Sequence, residues 1–112
     1  MEEGISCKQV EVSDEFKISR THIYDYSLET FGYYQAERYL QKIENALSTL
    51  YSFYTYYPEC RYLITKSRAY RNIILDSHLI IYRITKERIE VLDIIHTASS
   101  IKKIREVRKI RM

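Results

Sequence analysis

The sequence predicts an α+β domain, in which a helical hairpin packs on an antiparallel sheet and a short basic helix follows at the C-terminus. Three short apolar runs rich in β-branched residues lie between residues 73 and 95 and predict a three-stranded meander. Asp76-Ser77 and Lys86-Glu87 separate these runs and are typical of tight turns. Upstream, two amphipathic segments joined at Gly32 predict the helical hairpin. The predicted order is therefore β-α-α-β-β-β, with the hairpin covering one face of the meander.

The chain length favours a single domain. A chain of 112 residues supports one hydrophobic core but not two. Hydrophobic residues make up 46% and charged residues 29%, which is typical of a globular protein. We expect residues 1–112 to form one domain, with a core at about 8–97 and a basic C-terminal extension at 98–112.

The first two predicted elements are a strand and a helix. Residues 5–12 alternate loosely between apolar and polar side chains, which favours a strand. Ser13 then offers a capping hydroxyl, and acidic residues in the next turn suit a helix N-terminus. This helix should run from Asp14 to about Thr30. Its apolar face, spaced at 3.6 residues, consists of Phe16, Ile23, Tyr24, Leu28 and Phe31.

The second predicted helix has the stronger pattern. Eight apolar residues recur at helical spacing, and Pro58 ends the helix a few residues beyond them. They are Ala36, Tyr39, Leu40, Ile43, Ala46, Leu47, Leu50 and Tyr54. The aromatic run at residues 51–57 has two interpretations, a stacking platform for bases or alternate rings that close the helix end over the core. Packing is favoured because no Arg or Lys interleaves the rings.

The remaining segments are a connector and a C-terminal helix. Residues 59–67 form a connector or an early strand before the meander begins. Ser99-Ser100 can cap a short basic helix. We expect its inner face to carry Ile101, Ile104 and Val107.

Charge is distributed unevenly along the chain. Residues 1–60 carry 5 basic and 10 acidic side chains, whereas residues 61–112 carry 13 basic and 5 acidic ones. This asymmetry predicts an acidic partner, protein or nucleic acid, for the C-terminal half. The strongest candidates for partner binding are the basic residues of the last stretch, Lys102, Lys103, Arg105, Arg108, Lys109 and Arg111.

The sequence offers little for metal or cofactor chemistry. With 2 glycines it cannot build a glycine-rich phosphate loop, and His22, His78 and His96 lack the short spacing of metal ligands. Cys7 and Cys60 are too few for a disulfide framework or a four-ligand zinc site, and they indicate reduced thiols. We therefore expect neither a metal nor a cofactor.

Nothing in the sequence indicates export or a membrane span. Residues 1–4 are acidic, unlike the basic start of a signal peptide. The longest uncharged stretch, residues 46–58, falls short of the roughly 20 apolar residues that a membrane helix needs. The expected location is the cytoplasm, without membrane contact.

One group of residues in the meander suggests possible catalysis. An exposed row of arginines beside a histidine could stabilise a phosphodiester transition state and supply acid–base chemistry. The candidates are Arg68, Arg71, Arg83 and His96. The alternative is that these arginines are solvated or pair with acids on neighbouring strands, namely Asp76, Glu90 and Asp93.

The meander also carries a family resemblance. Its string HLIIYRITKERIEVLDIIH resembles the last two strands of the RelE/ParE toxin superfamily, the toxins of type II toxin–antitoxin modules. Upstream, YYQAERYLQKIENALSTLYSFYTYYPE is similar to the second helix of that family. Element order and length agree too, so the resemblance spans roughly residues 8–97. It implies a helical hairpin on a sheet and a cognate antitoxin as partner.

The resemblance leaves the target open between two branches. Ribonuclease members, which cut messenger RNA in the ribosome, tend to carry Arg where this chain has Leu79, and Lys or Arg in place of residues 97–100. Some of them use a histidine at the position of His96. The ParE branch, which poisons DNA gyrase, is closer in the Tyr82-Arg83 strand and the terminal histidine. A ParE-like gyrase inhibitor is thus the first hypothesis, a ribonuclease the second, and a decayed toxin that only binds antitoxin the third.

Overall fold

The computed structural model describes residues 7–112 and contains one sheet with helices on both of its faces. This confirms the predicted α+β class, with a helical hairpin followed by a meander and a short C-terminal helix. The elements in chain order are β1 (Gln9–Val12), α1 (Asp14–Phe31), α2 (Tyr33–Phe53), β2 (Tyr70–Leu75), β3 (His78–Ile84), β4 (Arg88–His96) and α3 (Ile101–Glu106), followed by a 3-10 turn (Val107–Lys109).

The sheet has the strand order β1-β4-β3-β2. The meander β2-β3-β4 is antiparallel as predicted, and its turns fall at the predicted residues. Strand β1 pairs with β4 in parallel, so the whole sheet is mixed. The predicted first strand included positions 5 and 6, which lie outside the described residues. Strands β4 and β3 are therefore the two central strands of the sheet, and β1 and β2 form its edges.

One face of the sheet packs against the helical hairpin. Phe16, Ile43 and Leu50 reach this core from the helices and are essentially inaccessible to solvent. The strands contribute a set of aliphatic residues and Tyr82, whose hydroxyl donates to the backbone oxygen of Tyr54 at 2.6 Å. Burial of these large side chains, at about 1.5–3 kcal/mol each, is the main stabilisation of the hairpin on the sheet.

The opposite face packs against α3 and the connector. Ile81, Leu92 and Ile95 from the strands meet Ile104 and Val107, with Cys60 and Leu63 from the connector completing the cluster. A β-bulge between β3 and β4 allows Leu92 and Ile95, three residues apart, to share this face. Tyr82 pairs with Val91 and Ile81 pairs with Asp93, so Leu92 has no cross-strand partner on β3. Strand β4 is therefore apolar on both faces, as a central strand requires.

The start of α1 is fixed by Ser13, as predicted. Its hydroxyl oxygen accepts from the backbone N–H of Phe16 at 2.9 Å and donates to the backbone oxygen of Leu92 at 2.5 Å. The backbone N–H of Ser13 also donates to the oxygen of Val91 at 2.9 Å. One capping residue thus closes the helix N-terminus and attaches it to the central strand β4.

The end of α1 departs from the predicted apolar face. Phe16 is buried and Ile23 and Tyr24 are half-buried, but Leu28 and Phe31 are exposed. These two residues lie in the last turn of α1, so the expectation that all five residues face the core is wrong.

Helix α2 follows its prediction more closely. Gly32 turns the chain at φ 91°, a left-handed backbone conformation that glycine adopts without strain. All eight apolar residues predicted for the inner face are buried or half-buried. In the aromatic run, the rings that pack are Tyr54, at the C-cap of α2, and Tyr57, in the turn that follows; they are three residues apart and not alternate.

The C-terminal helix begins at the predicted cap. The hydroxyl of Ser100 accepts from the backbone N–H of Lys103 at 3.1 Å. Ile104 and Val107 are buried, but Ile101 is exposed, so its predicted inward position is wrong. At 100° per residue, Ile101 and Val107 lie about 120° apart on the helix, too far to share a narrow contact face. The connector between α2 and β2, residues 59–67, forms an isolated β-bridge between Glu59 and Arg71.

Candidate functional site

The four candidate catalytic residues do not form one cluster. Arg83 faces Glu90 across the β3-β4 ladder, whereas His96 faces His78 at the other end of the same ladder. Five residues separate His78 from Arg83, which is about 17 Å along a strand. His96 therefore lies far from Arg83, and the meander has two chemically different ends.

Arg68 and Arg71 lie near the connector and serve its backbone. The guanidinium of Arg71 donates to the oxygens of Thr55 and Tyr57, both at 2.9 Å, and to that of Arg68 at 3.1 Å. Arg68 pairs with Glu59 at 3.4 Å and adopts a positive φ of 55°. The donors of Arg71 are thus directed at carbonyl oxygens that hold the connector in place.

Arg83 lies at one end of the ladder, which we call the arginine end and define as Arg83, Arg88, Glu90 and the chain after Val107. Its guanidinium contacts one carboxylate oxygen of Glu90 at 2.6 and 2.8 Å, and Arg88 contacts the other oxygen at 2.9 Å. The same guanidinium donates to the backbone oxygens of Arg108 at 3.5 Å and Ile110 at 3.3 Å. The predicted alternative of pairing with Glu90 is confirmed for Arg83.

The two arginines keep Glu90 ionised. Burial alone would raise the pKa of this carboxyl, but the hydrogen bonds and charges of Arg83 and Arg88 hold it below its usual value. The side chain of Glu90 is only 10% exposed. One carboxylate is therefore shared by two cations in a largely buried position.

Beside this arrangement lies a hollow of about 380 Å³, which we call the basic pocket. Its charged lining consists of five cations and one carboxylate, and that carboxylate is already occupied by two of the cations. The lining residues are Arg83, Arg88, Glu90, Arg108, Lys109, Ile110, Arg111 and Met112. The pocket therefore presents an excess of positive charge.

The six basic residues predicted to bind a partner are all exposed. Lys109 forms an ion pair with Glu106 at 3.0 Å. The other five side chains form no ion pair with any residue in 7–112. Three of the six also line the basic pocket, so the structure joins the C-terminal tail to the arginine end of the sheet.

The histidine end opens into a larger cleft of about 640 Å³ between the hairpin and the sheet. It brings together all three histidines: His22 from α1, His78 from the start of β3 and His96 from the end of β4. Sequence spacing did not reveal this grouping. Since antiparallel pairing sets the first residue of β3 opposite the last residue of β4, the meander register was the signal that could have found it.

Hydrogen bonds in the cleft fix the tautomer of His78. The hydroxyl oxygen of Tyr39 lies 2.7 Å from Nδ1 of His78 and 3.2 Å from the backbone oxygen of Leu75. Because Tyr39 has a single hydroxyl hydrogen, both contacts are satisfied when it donates to Leu75 and accepts from His78. We assign the neutral His78 hydrogen to Nδ1 on this basis, which leaves Nε2 as a free acceptor.

His96 has the opposite tautomer. Its Nδ1 accepts from the backbone N–H of Ala98 at 3.0 Å, so the hydrogen of the neutral ring lies on Nε2. The rings of His78 and His96 are 5.4 Å apart in an edge-to-face arrangement. Nε2 of His78 is therefore a proton acceptor, whereas His96 acts as a general acid only as the imidazolium, with a hydrogen on both ring nitrogens.

Burial shifts the pKa values of Tyr39 and His78. Partial burial raises the pKa of Tyr39 to about 12, with help from the charge of Asp76, so its hydroxyl stays protonated. Burial, followed by repulsion from His96, lowers the pKa of His78. His78 is therefore neutral near pH 7 and available as an acceptor.

Exposed aromatic rings surround the mouth of the cleft. We call this surface the hairpin tip; it consists of Tyr26, Phe31, Tyr33 and Tyr34, each at least 60% exposed. Tyr26 and Phe31 contact each other edge to face at 6.4 Å and also line the cleft. Clustered exposed aromatic rings of this kind are typical of an interaction surface.

The described residues contain neither a metal site nor a membrane-spanning helix. Within residues 7–112, no group of three or more His, Cys, Asp and Glu side chains has the geometry to hold a metal ion. No helix in that same range is both long and apolar enough to cross a bilayer.

Comparison with known proteins gives a consistent picture. The sequence model of the family described as the ParE toxin of the type II toxin–antitoxin system parDE matches residues 10–101. A solved structure titled the chromosomal ParDE toxin–antitoxin system from P. aeruginosa matches with a TM-score of 0.67 at 15% sequence identity. That match covers 80% of this chain and 96% of the other. No curated protein sequence matches.

Proposed function

Because the chain belongs to the ParE toxin family of type II toxin–antitoxin systems, we propose that it inhibits growth by binding DNA gyrase and that a cognate antitoxin neutralises it. The observation that carries the proposal is the match to this family over residues 10–101, together with the shared fold. Gyrase acts in the cytoplasm, so we place the toxin there.

The arrangement of the arginines supports binding over nuclease chemistry. A nuclease that uses arginines needs their N–H donors free to meet a phosphate in the transition state. In this chain the guanidinium of Arg71 is directed at three carbonyl oxygens, and that of Arg83 at Glu90 and two carbonyl oxygens. These two side chains are occupied by structural contacts.

The antitoxin has two suitable surfaces on the toxin. The hairpin covers one face of the sheet, whereas α3 and the connector cover only part of the other face, on which Ile74 of β2 is 66% exposed. We propose that an acidic antitoxin segment contacts the tail from Lys102 to Arg111, and that an amphipathic helix docks on the hairpin tip. Both parts are expected to fold as they bind.

A supercoiling assay tests the proposed target. Purified toxin added to gyrase and relaxed plasmid is expected to reduce supercoiling, and prior addition of the antitoxin should restore it. A toxin that leaves supercoiling unchanged but cleaves ribosome-bound messenger RNA would overturn the gyrase proposal. A folded toxin that binds antitoxin but neither arrests growth nor touches either target would favour the decayed form.

The adjacent rings of His78 and His96 favour a second candidate function, cleavage of messenger RNA. In this scheme Nε2 of His78 removes the proton from a ribose 2′-hydroxyl, and the oxygen attacks the adjacent phosphorus. His96 then protonates the departing 5′-oxygen from Nε2; this step requires its imidazolium form, in which Nδ1 also carries a hydrogen and no longer accepts from Ala98. A folded His96→Ala variant that remains fully toxic would exclude this function, and loss of toxicity with unchanged gyrase binding would support it.

A further inference from the structure

The arginine end and its tail form a surface for a different ligand. We propose that the basic pocket and the exposed cations of α3 bind the phosphate backbone of double-stranded DNA, independently of its sequence. The relevance of this binding to toxicity rests on the proposed function, since gyrase is an enzyme that holds duplex DNA. The binding itself belongs to the toxin alone and can be measured without gyrase.

The tail after Ser100 is fixed in position on the sheet. Ile104 and Val107 are buried against the sheet, and Ile110 packs beside them. The Arg83 guanidinium also donates to the backbone oxygens of Arg108 and Ile110. The tail side chains therefore project from an ordered backbone, and little conformational entropy is lost when a ligand orders them further.

Positive charge exceeds negative charge in the basic pocket and on the tail. The lining of the basic pocket has five cations against Glu90, whose two carboxylate oxygens are already bound by Arg83 and Arg88. Lys102, Lys103 and Arg105 add three exposed cations on the adjoining helix. No other acidic side chain lines the pocket, and Glu106 is the single acidic side chain in the tail. Such a field attracts an anionic polymer.

The tail is long enough to contact several phosphates of duplex DNA. Helix α3 and its 3-10 turn together span about 15 Å. Phosphates of one DNA strand advance about 3.4 Å per base pair along the axis and also turn around it, so a straight strip of this length meets a few of them. Several cations spread over this length can contact several phosphates of a polymer, whereas a single small anion would reach only one or two of them.

The lining also explains why the expected binding ignores sequence. No aromatic side chain lines the basic pocket, so unpaired bases have no surface on which to stack. The exposed rings of the hairpin tip lie by the histidine cleft at the other end of the ladder. Contacts from Arg and Lys to phosphate position a protein on DNA without reading its bases.

A pair of matched variants tests the inference. Arg105, Arg108 and Arg111 form no side-chain ion pair within residues 7–112, so replacing all three with Gln leaves the fold intact. The control variant replaces Lys17, Arg38 and Lys42 of the hairpin with Gln and removes the same formal charge. It also removes two exposed ion pairs, Lys17–Asp14 and Lys42–Asp76, each of which contributes about 0–1 kcal/mol to stability. Circular dichroism and thermal unfolding confirm that both variants fold.

The measurement is fluorescence anisotropy of a labelled 20-base-pair duplex titrated with toxin, without gyrase. With about three phosphates neutralised, affinity should fall roughly 40-fold between 50 and 200 mM salt. The tail variant should bind at least about tenfold more weakly at 50 mM salt and lose most of this salt dependence, whereas the hairpin variant should stay within about twofold of the parent. Two unrelated duplex sequences should bind equally.

Several results would overturn the inference. They are the absence of duplex binding at 50 mM salt, equal weakening in both variants, or a polyglutamate peptide that binds the tail while duplex DNA does not. The last result would assign the surface to an acidic protein segment alone. Failure of the proposed function is distinguishable, because a toxin that binds duplex DNA but leaves supercoiling unchanged refutes the gyrase target only.

Discussion

The two ends of the β3-β4 ladder are closed in different ways. At the arginine end Arg83 faces Glu90, so opposite charges meet across the strands and the C-terminal tail folds over them. At the histidine end His78 faces His96, two groups that repel each other when both are protonated. The helical hairpin packs over that end without filling it, and a cleft of about 640 Å³ remains. The pairing of residues across one ladder thus separates a structural, charged end from an open, titratable one.

The largest difference between the ends should appear in stability. Arg83→Met keeps the apolar stem but leaves Glu90 with one cation and frees the tail, so we expect a loss of about 2 kcal/mol in the free energy of unfolding. His96→Ala removes an exposed ring and should cost less than about 0.5 kcal/mol. Urea denaturation of both variants measures the difference. Equal losses would show that the two ends contribute alike.

A smaller effect is expected from Tyr39 at the histidine end. Tyr39→Phe removes the hydrogen bond to His78 and should lower the free energy of unfolding by about 1 kcal/mol. The variant should also weaken the preference of His78 for its Nδ1–H tautomer. Nitrogen chemical shifts of the imidazole ring report this preference directly. An unchanged tautomer in the variant would contradict the assignment of the donor and acceptor.

The two ends should also respond to acid in different pH ranges. The folded-state pKa of His78 lies below its ordinary value of 6.5, so its contribution is present above pH 6.5 and is lost as the pH falls through the folded value. The same sign holds for Glu90, whose contribution is present above about pH 4.5 and lost at lower pH.

Matched substitutions separate these ranges. His78→Asn should flatten the decline in stability just below pH 6.5, and Glu90→Gln should flatten the decline below pH 4.5. Unfolding free energies measured from pH 3 to pH 8 provide the check. Parallel curves for parent and His78→Asn between pH 5 and 6.5 would show that His78 does not titrate as described.

The smallest effect on stability is expected at the hairpin tip. Phe31 is 60% exposed, so Phe31→Ser should change the free energy of unfolding by no more than about 0.5 kcal/mol. If the tip docks the antitoxin, the same variant should bind antitoxin more weakly in calorimetric titration. A loss of stability above 1 kcal/mol would indicate that the ring packs against the chain more closely than its exposure shows.

Most of the fold could be predicted because it depends on local periodicity. The 3.6-residue pattern of α2, the capping hydroxyl of Ser13 and the turn at Asp76-Ser77 each act within a few residues. The parallel pairing of β1 with β4 and the bulge at Leu92 depend on contacts between distant segments, which no local pattern encodes. For the same reason the sequence did not show that Leu28 and Phe31, in the last turn of α1, are exposed.

The sites were harder to predict than the fold. Residue types identified the arginines as candidates. They did not show that Arg71 and Arg83 donate hydrogen bonds to backbone oxygens far away in sequence. The grouping of His78 and His96 was within reach, since it follows from the predicted meander once its register is set. The contribution of His22 required the packing of α1 over that end of the sheet.

The most direct test of the account is a gyrase supercoiling assay with three proteins, the parent toxin, the His96→Ala variant and the variant with Arg105, Arg108 and Arg111 replaced by Gln. The account predicts that the parent and His96→Ala inhibit supercoiling equally. It also predicts that the tail variant requires at least about tenfold more protein. Full inhibition by the tail variant together with loss of inhibition by His96→Ala would contradict it.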